Sequence, residues 1–267
     1  MKFPVKKLVV VLGFCIAVIT QLAQAAEETV TLNTRGGVTI KFRLISGKDP
    51  IASVILFPGG KGKIKLTDFG IEKTGNFLVR TRNVFARQGI MVAVVDAPSD
   101  RQGEAGMMFG FRTSPEHVID IDAIIDYLQN RTSIPVWLIG TSRGTESAAY
   151  VANHTSRKIQ GLVLTSSMSR PNAKGLALTE MGLDKIRVPV LITTHKNDHC
   201  RVTPPGGAKK IKNALVNAPI VEIKYYTGGK KPRSKPCKAK SQHGYFGIED
   251  EVVRDIVAFL KNSRRMY

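Results

Sequence analysis

Three side chains could together carry out acyl-transfer chemistry: Ser142, Asp198 and His243. Ser142 sits in Gly140-Thr141-Ser142-Arg143-Gly144, between the apolar run Pro135–Ile139 and a helical pattern over Glu146–Asn153. A G-x-S-x-G spacing in that setting holds the serine on a tight strand-to-helix turn, where a Cβ on either flank would collide with backbone. The turn would raise the hydroxyl above the strand ends, at a helix N-terminus whose amides favour developing negative charge. Asp198 follows the apolar run Val188–Thr193, and His243 lies in Ser241-Gln242-His243-Gly244-Tyr245 ahead of the closing helical pattern. The histidine would take the proton as the serine attacks an acyl carbon, then return it to the leaving group. The aspartate would accept a hydrogen bond from the other ring nitrogen and fix the tautomer.

Positioning these groups requires a regular scaffold, and the chain supplies one. Val30–Leu32 and Val38–Leu44 flank Arg35-Gly36-Gly37 and read as a hairpin. Ala52–Phe57, Ile90–Val95, Pro135–Ile139, Ile159–Leu164, Val188–Thr193 and Ile220–Tyr225 are short, continuous and rich in Val and Ile. Such runs suit strands buried on both faces. Helical spacing fills most gaps, at Phe77–Gln88, Pro115–Gln129, Glu146–Asn153 and Ile248–Leu260. Ser114 is the expected N-cap of the second, with Pro115 just inside it. A hairpin followed by β-α units predicts an α/β fold: a mostly parallel central sheet with helices on both faces. No repeat or linker interrupts it, so one domain spans 26–267.

On these residues the chain resembles the α/β-hydrolase superfamily, most closely its small exported bacterial members. The likeness covers essentially all of residues 30–262 and rests on strand order, elbow, acid loop, histidine loop and closing helix. It implies a serine hydrolase of esters, thioesters or amides that needs no cofactor and no metal. It does not imply a substrate. Such an enzyme stabilises its oxyanion with two backbone donors. One should be the amide of Arg143; the other should come from Phe57-Pro58-Gly59-Gly60-Lys61-Gly62, with Gly60 the first choice and Lys61 the second. The superfamily often has His-Gly where this chain has Pro58-Gly59, a departure at the second donor. A phosphate-cradling loop is the rival for that glycine run, but it lacks the P-loop spacing.

Residues 1–25 read as a secretory signal peptide: Lys2, Lys6 and Lys7, an apolar run Leu8–Ile19, then the small-residue exit Ala23-Gln24-Ala25. The run is short for a bilayer span, so no stable membrane anchor is expected after cleavage. A periplasmic or secreted location follows. Cleavage takes the 40 basic residues to 37 against 21 acidic ones, a net +16. It also removes Cys15 and leaves Cys200 and Cys237, an even pair that an oxidising compartment would join. That bridge would tie the acid loop to the histidine loop and stabilise the fold by about 4 kcal/mol in the chain-entropy model.

Of the remaining histidines, His117 and His154 fit structural places on helices, and His199 is too near Asp198 in sequence to fold back onto it. His195, at a strand end, is a candidate substrate contact, and Lys61 is another. Only about two dozen residues separate Thr165 from Arg187, too few for a large cap domain. The loops Gly60–Asn76 and Pro98–Thr113 should partly roof an open site, with Met107, Met108, Phe109 and Phe111 serving either as an apolar acyl surface or as ordinary buried residues. From Gly228 to His243 there are six Lys and Arg and no acid. The run suits either a solvated loop or attraction to anionic material such as a bacterial envelope. Nucleic acid is an unsuitable partner, because the run lacks interleaved aromatics and no binding motif appears. A small-molecule or acyl substrate is the expected ligand. A serine peptidase on the same fold and a non-catalytic binding protein are the competing functions.

Overall fold

The computed structural model describes Met1 and residues 26–264. The signal-peptide expectation for residues 1–25 lies outside the described residues, Met1 aside. The sheet opens with a hairpin, β1 (Ala26–Arg35) and β2 (Val38–Ser46), paired antiparallel around Gly36-Gly37. β3 (Ala52–Phe57) follows, then a small separate hairpin of β4 (Leu66–Thr67) and β5 (Gly70–Ile71). Helix α1 (Phe77–Arg87) leads to β6 (Ile90–Val95), and α2 (Pro115–Arg131) to β7 (Val136–Thr141). Then come α3 (Gly144–His154), β8 (Gly161–Thr165), β9 (Val190–His195), α4 (Gly207–Ala214), β10 (Val221–Tyr226) and α5 (Glu249–Arg264). The main sheet runs in the order β1-β2-β6-β3-β7-β8-β9-β10. Every neighbouring pair from β6 to β10 is parallel.

Alternation along each strand sorts the core into two layers. On one face Ile55, Phe57, Leu138 and Leu164 pack under α2, α3 and α4 through Ile121, Ile125, Val151 and Ile211. On the other, Val54, Leu56, Trp137 and Val163 meet Phe77 and Phe85 of α1 and Val253, Ile256 and Leu260 of α5. The helices begin where their caps permit. The Asn76 side chain accepts from the Leu78 amide, and the Ser114 hydroxyl from that of His117. Chain order reverses around β3: β6 lies on one side and β7 on the other. In parallel sheets that reversal opens a crevice beyond the carboxyl ends of the strands, and Ser142 follows β7 there.

Two helical and sheet features differ from expectation. α4 and the β4–β5 hairpin have no counterpart in the sequence reading. Several strands also start or finish later than their apolar runs suggest, β9 by two residues at each end.

His117 is fully buried on α2 between the rings of Phe57 and Phe111, at 6.1 and 5.6 Å between centroids. Among the described residues neither ring nitrogen has a hydrogen-bond partner. Burial first, then the nearby guanidiniums of Arg112 and Arg35, push its pKa down to about 3. The folded ring therefore stays neutral down to about pH 3, whereas an unfolded one takes a proton below about 6.5. Between those values the unfolded chain binds more protons, so stability falls as pH falls, by up to about 1.4 kcal/mol per pH unit. Urea unfolding of wild type and His117→Leu at pH 7, 5 and 4 checks this. The wild type should lose more stability on acidification than the variant, and parallel losses would refute the assignment.

Candidate active site

The elbow is built by close approach. A Cβ at Gly144 would overlap the Phe57 carbonyl, and one at Gly140 would sit 2.7 Å from the Thr145 Cα. These contacts give a physical reason for glycine at both ends of the motif. Between them Ser142 adopts φ +53°, a left-handed conformation that strains any residue with a Cβ. Its amide donates to the Thr165 carbonyl at 3.0 Å, and its carbonyl accepts from the Thr145 amide at 2.9 Å. The half-buried hydroxyl makes no hydrogen bond among the described residues. With the backbone held on both sides, rotation about Cα–Cβ is its remaining freedom.

Thr141, Thr165 and Thr193 stand side by side in register on β7, β8 and β9. The groups of interest leave the sheet just beyond this row. Asp198 lies three residues after β9 and is buried. Its Oδ1 accepts from the Cys200 amide at 2.8 Å. Its Oδ2 accepts from Nδ1 of His243 and from the hydroxyl of Thr203, both at 2.9 Å. Thr203 Oγ1 is also 3.0 Å from His243 Nδ1, so the three groups form one closed cluster. That geometry makes Nδ1 the protonated ring nitrogen and leaves Nε2 as the free base.

The histidine loop is held from beneath. Ser166 Oγ donates to the His243 carbonyl at 2.8 Å, and the Ser166 amide lies 3.1 Å from the Tyr245 hydroxyl. Thus the dipeptide Thr165–Ser166 supports the backbones of both Ser142 and His243. Tyr245 is fully buried at φ +56°, with its hydroxyl 2.9 Å from Thr193 Oγ1. Burial pushes the Tyr245 phenol up to about 12, so it stays a neutral hydrogen-bonding group. A disulfide joins Cys200 to Cys237 and ties the acid loop to the segment that leads into His243.

Above Ser142 lies the loop after β3. An added Cβ on Gly59 would come within 3.0 Å of the Ser142 Cβ, whereas one on Gly60, at φ +62°, would meet nothing. The glycine in contact with Ser142 is therefore Gly59, one residue before the expected donor. Arg112 anchors this loop from below. It is 1% exposed; its Nη2 donates to the Pro58 carbonyl at 3.0 Å and to that of Gly60 at 3.3 Å. Its Nη1 donates to Ser147 of α3 at 2.6 Å. Burial lowers its pKa to about 10, so it remains a cation at neutral pH. In a trans peptide the carbonyl and the following N–H point in opposite directions, so the Gly59 and Lys61 amides face away from the guanidinium.

Arg143 is the N-cap of α3, and the first amides of a helix lack intrahelical acceptors. Its side chain is buried, bonded to Glu146 Oε1 at 2.7 Å and to Asn172 Oδ1. Burial raises the Glu146 carboxyl above its usual range. The pair anchors the segment between β8 and β9, which carries two single 3-10 turns, at Leu178–Glu180 and Leu183–Lys185, and no larger cap.

One expectation needs correction. His195 is buried, and both its nitrogens are engaged: Nδ1 accepts from the Asn197 amide at 3.0 Å and Nε2 lies 3.1 Å from the Gly228 carbonyl. It pairs with Tyr226 in the sheet because β9 extends two residues beyond its apolar run, so no ring nitrogen remains for a substrate. Met107 and Phe111 are core residues, Phe111 beneath the Arg101 guanidinium at 4.4 Å. Phe109, 61% exposed, is the apolar side chain of that loop left on the surface. Lys61 is exposed, with its carbonyl bonded to the Met107 amide. No local pattern in the sequence marks Thr203 or Arg112.

No protein-family model matches the chain, and no curated protein matches its sequence. Its structure is similar to an esterase of Pyrococcus furiosus, with TM-score 0.63 and 14% identity over 89% of this chain and 93% of that one. A highly thermostable carboxyl esterase from Bacillus coagulans matches at TM-score 0.61 and 13% identity, over 89% and 98%. Brefeldin A esterase, a bacterial homologue of human hormone-sensitive lipase, matches at 0.62 and 16%, over 96% and 81%. The chain has the α/β-hydrolase fold.

Proposed function

We propose that this α/β-hydrolase-fold chain is an exported serine hydrolase that cleaves a carboxylic ester or related acyl bond through an acyl-enzyme on Ser142. One observation carries the reading: Thr165 and Ser166 hold the backbones of a serine at φ +53° on the β7–α3 turn and of a histidine already bonded through Nδ1 to a buried carboxylate. Ser142 Oγ attacks the acyl carbon while His243 Nε2 takes its proton. Asp198 and Thr203 stabilise the resulting imidazolium at Nδ1. The oxyanion is met by the Arg143 amide and by an amide of the Gly59–Lys61 loop. As the intermediate collapses, the proton passes to the leaving oxygen; water then repeats the sequence and frees Ser142.

The three solved structures named above are esterases, which supports esters over the peptide amides of a serine peptidase. Export is supported by the leader-like residues 1–25 and by the disulfide, which persists in an oxidising compartment. A fluorophosphonate probe should label the wild-type protein and leave Ser142→Ala unlabelled. Equal labelling of the two, or none of either, would remove the proposal. Faster turnover of a peptide anilide than of an aryl acetate would replace the esterase reading with the peptidase one.

A further inference from the structure

One segment of this protein gathers positive charge without any acid. Elsewhere several basic side chains meet carboxylates: Arg35 meets Asp100 and Asp120, Arg43 meets Glu27, Arg80 meets Glu249, Arg157 meets Asp126 and Lys224 meets Asp255. The segment from Gly228 to His243 holds six cations in sixteen residues and no carboxylate. Lys230, Lys231, Arg233, Lys235, Lys238 and Lys240 are all exposed. Among the described residues, none of the six pairs with a carboxylate.

A solvated basic loop gains by spreading its like charges, yet this one is fastened in place. The Gly228 carbonyl lies against His195, the Lys230 amide donates to the Phe246 carbonyl, and the Arg233 amide to that of Lys240. Ser241 Oγ reaches the carbonyls of Pro236 and Lys238, and Cys237 is bonded to Cys200 beside Asp198. The result is an ordered cationic strap that runs directly into the turn bearing His243. These bonds fix the backbone from which the six side chains project, so an anion arriving there meets charges gathered on one ordered segment.

We infer that this strap is a subsite for an anionic group, a carboxylate or phosphate, on the alcohol part of the substrate. The side follows from the chemistry, since His243 protonates the leaving oxygen and the alcohol portion must therefore project toward the histidine loop. The inference rests on the serine-hydrolase reading above and names its substrate class. It also covers two sources of the same chemistry, a small anionic ester and an ester group on an anionic polymer.

The test compares 4-acetoxybenzoate with its neutral counterpart 4-acetoxybenzamide, using the full mature protein. At about 10 mM salt, where charges act over roughly 30 Å, kcat/KM should favour the anion by about tenfold or more. The preference should shrink toward unity at about 0.5 M salt, where screening shortens that range to a few ångströms. Replacing all six cations by glutamine should bring the ratio to about one at low salt, while a variant with every lysine changed to arginine keeps it. Salt titration of the wild type reads the same effect should the glutamine variant fold poorly. An acetylated polyanionic glycan, competing at low salt more strongly than its neutral analogue, would mark the polymer as the source; competition by benzoate alone would mark the small ester. A ratio near one that ignores salt overturns the inference and leaves the hydrolase reading intact, as does fluorophosphonate labelling without hydrolysis of either ester. Absence of both labelling and hydrolysis overturns the hydrolase reading itself.

Discussion

His243→Ala is expected to lower kcat toward an aryl acetate by about five orders of magnitude and to change KM by less than about threefold. The imidazole has its Nδ1 held by Asp198 and Thr203, and in the proposed mechanism serine, base and acid act as a unit. Their loss is therefore far larger than the hundredfold to ten-thousandfold of an isolated general base. KM should hold because the ring contributes to proton transfer more than to ground-state binding. His199→Ala is the control: that side chain is exposed, one residue from Asp198, and its loss should alter kcat by less than about twofold. Steady-state kinetics on the two variants decides the matter. A His243→Ala enzyme within tenfold of wild type, or a His199→Ala enzyme far below it, would show that another group serves as the base.

The triad candidates were legible because each lies next to a feature that local sequence encodes. The elbow needs glycine at 140 and 144 for steric reasons, and the short apolar runs ending near Thr141, Thr165 and Thr193 announce parallel strands. Order along the chain did the rest. The disulfide was legible by counting, once Cys15 was set aside with the expected leader.

What escaped was held by tertiary contact or was too short to show a period. α4 has eight residues, with Ala208 and Ile211 as its buried apolar positions among lysines, so no stripe stands out. β4 and β5 have two residues each. Thr203 looks like any threonine before a Pro-Pro pair until Asp198 and His243 close around its hydroxyl. His195 carried the opposite error: a polar ring near a strand end suggested substrate contact, but the strand continues and buries it.

Arg112 is the most consequential of these, and Arg112→Met should lower kcat by about 10²–10³ with little change in KM. Methionine fills much of the same volume but cannot donate to Pro58, Gly60 or Ser147. Two carbonyls beneath the loop would then be buried without their donor, at about 1–3 kcal/mol each, and the Pro58–Gly59 and Gly60–Lys61 peptides would be free to turn. In the proposed mechanism their amides meet the oxyanion only while those carbonyls are held by Arg112, so the variant should lose an oxyanion donor before it loses the fold. Some destabilisation is expected as well, which is why the kcat–KM split matters. A merely structural arginine would lower the melting temperature while kcat, measured well below it, stayed within about threefold of wild type; that result would end the positioning role. Arg112→Lys should recover part of the rate, because an ammonium can reach one or two of the three acceptors but lacks the planar fork that holds both carbonyls and Ser147 together. Ser147→Ala offers an independent check, for it removes the contact that aims the guanidinium and leaves both loop carbonyls their donor. Its kcat should fall by less than that of Arg112→Met and more than its small effect on stability would suggest.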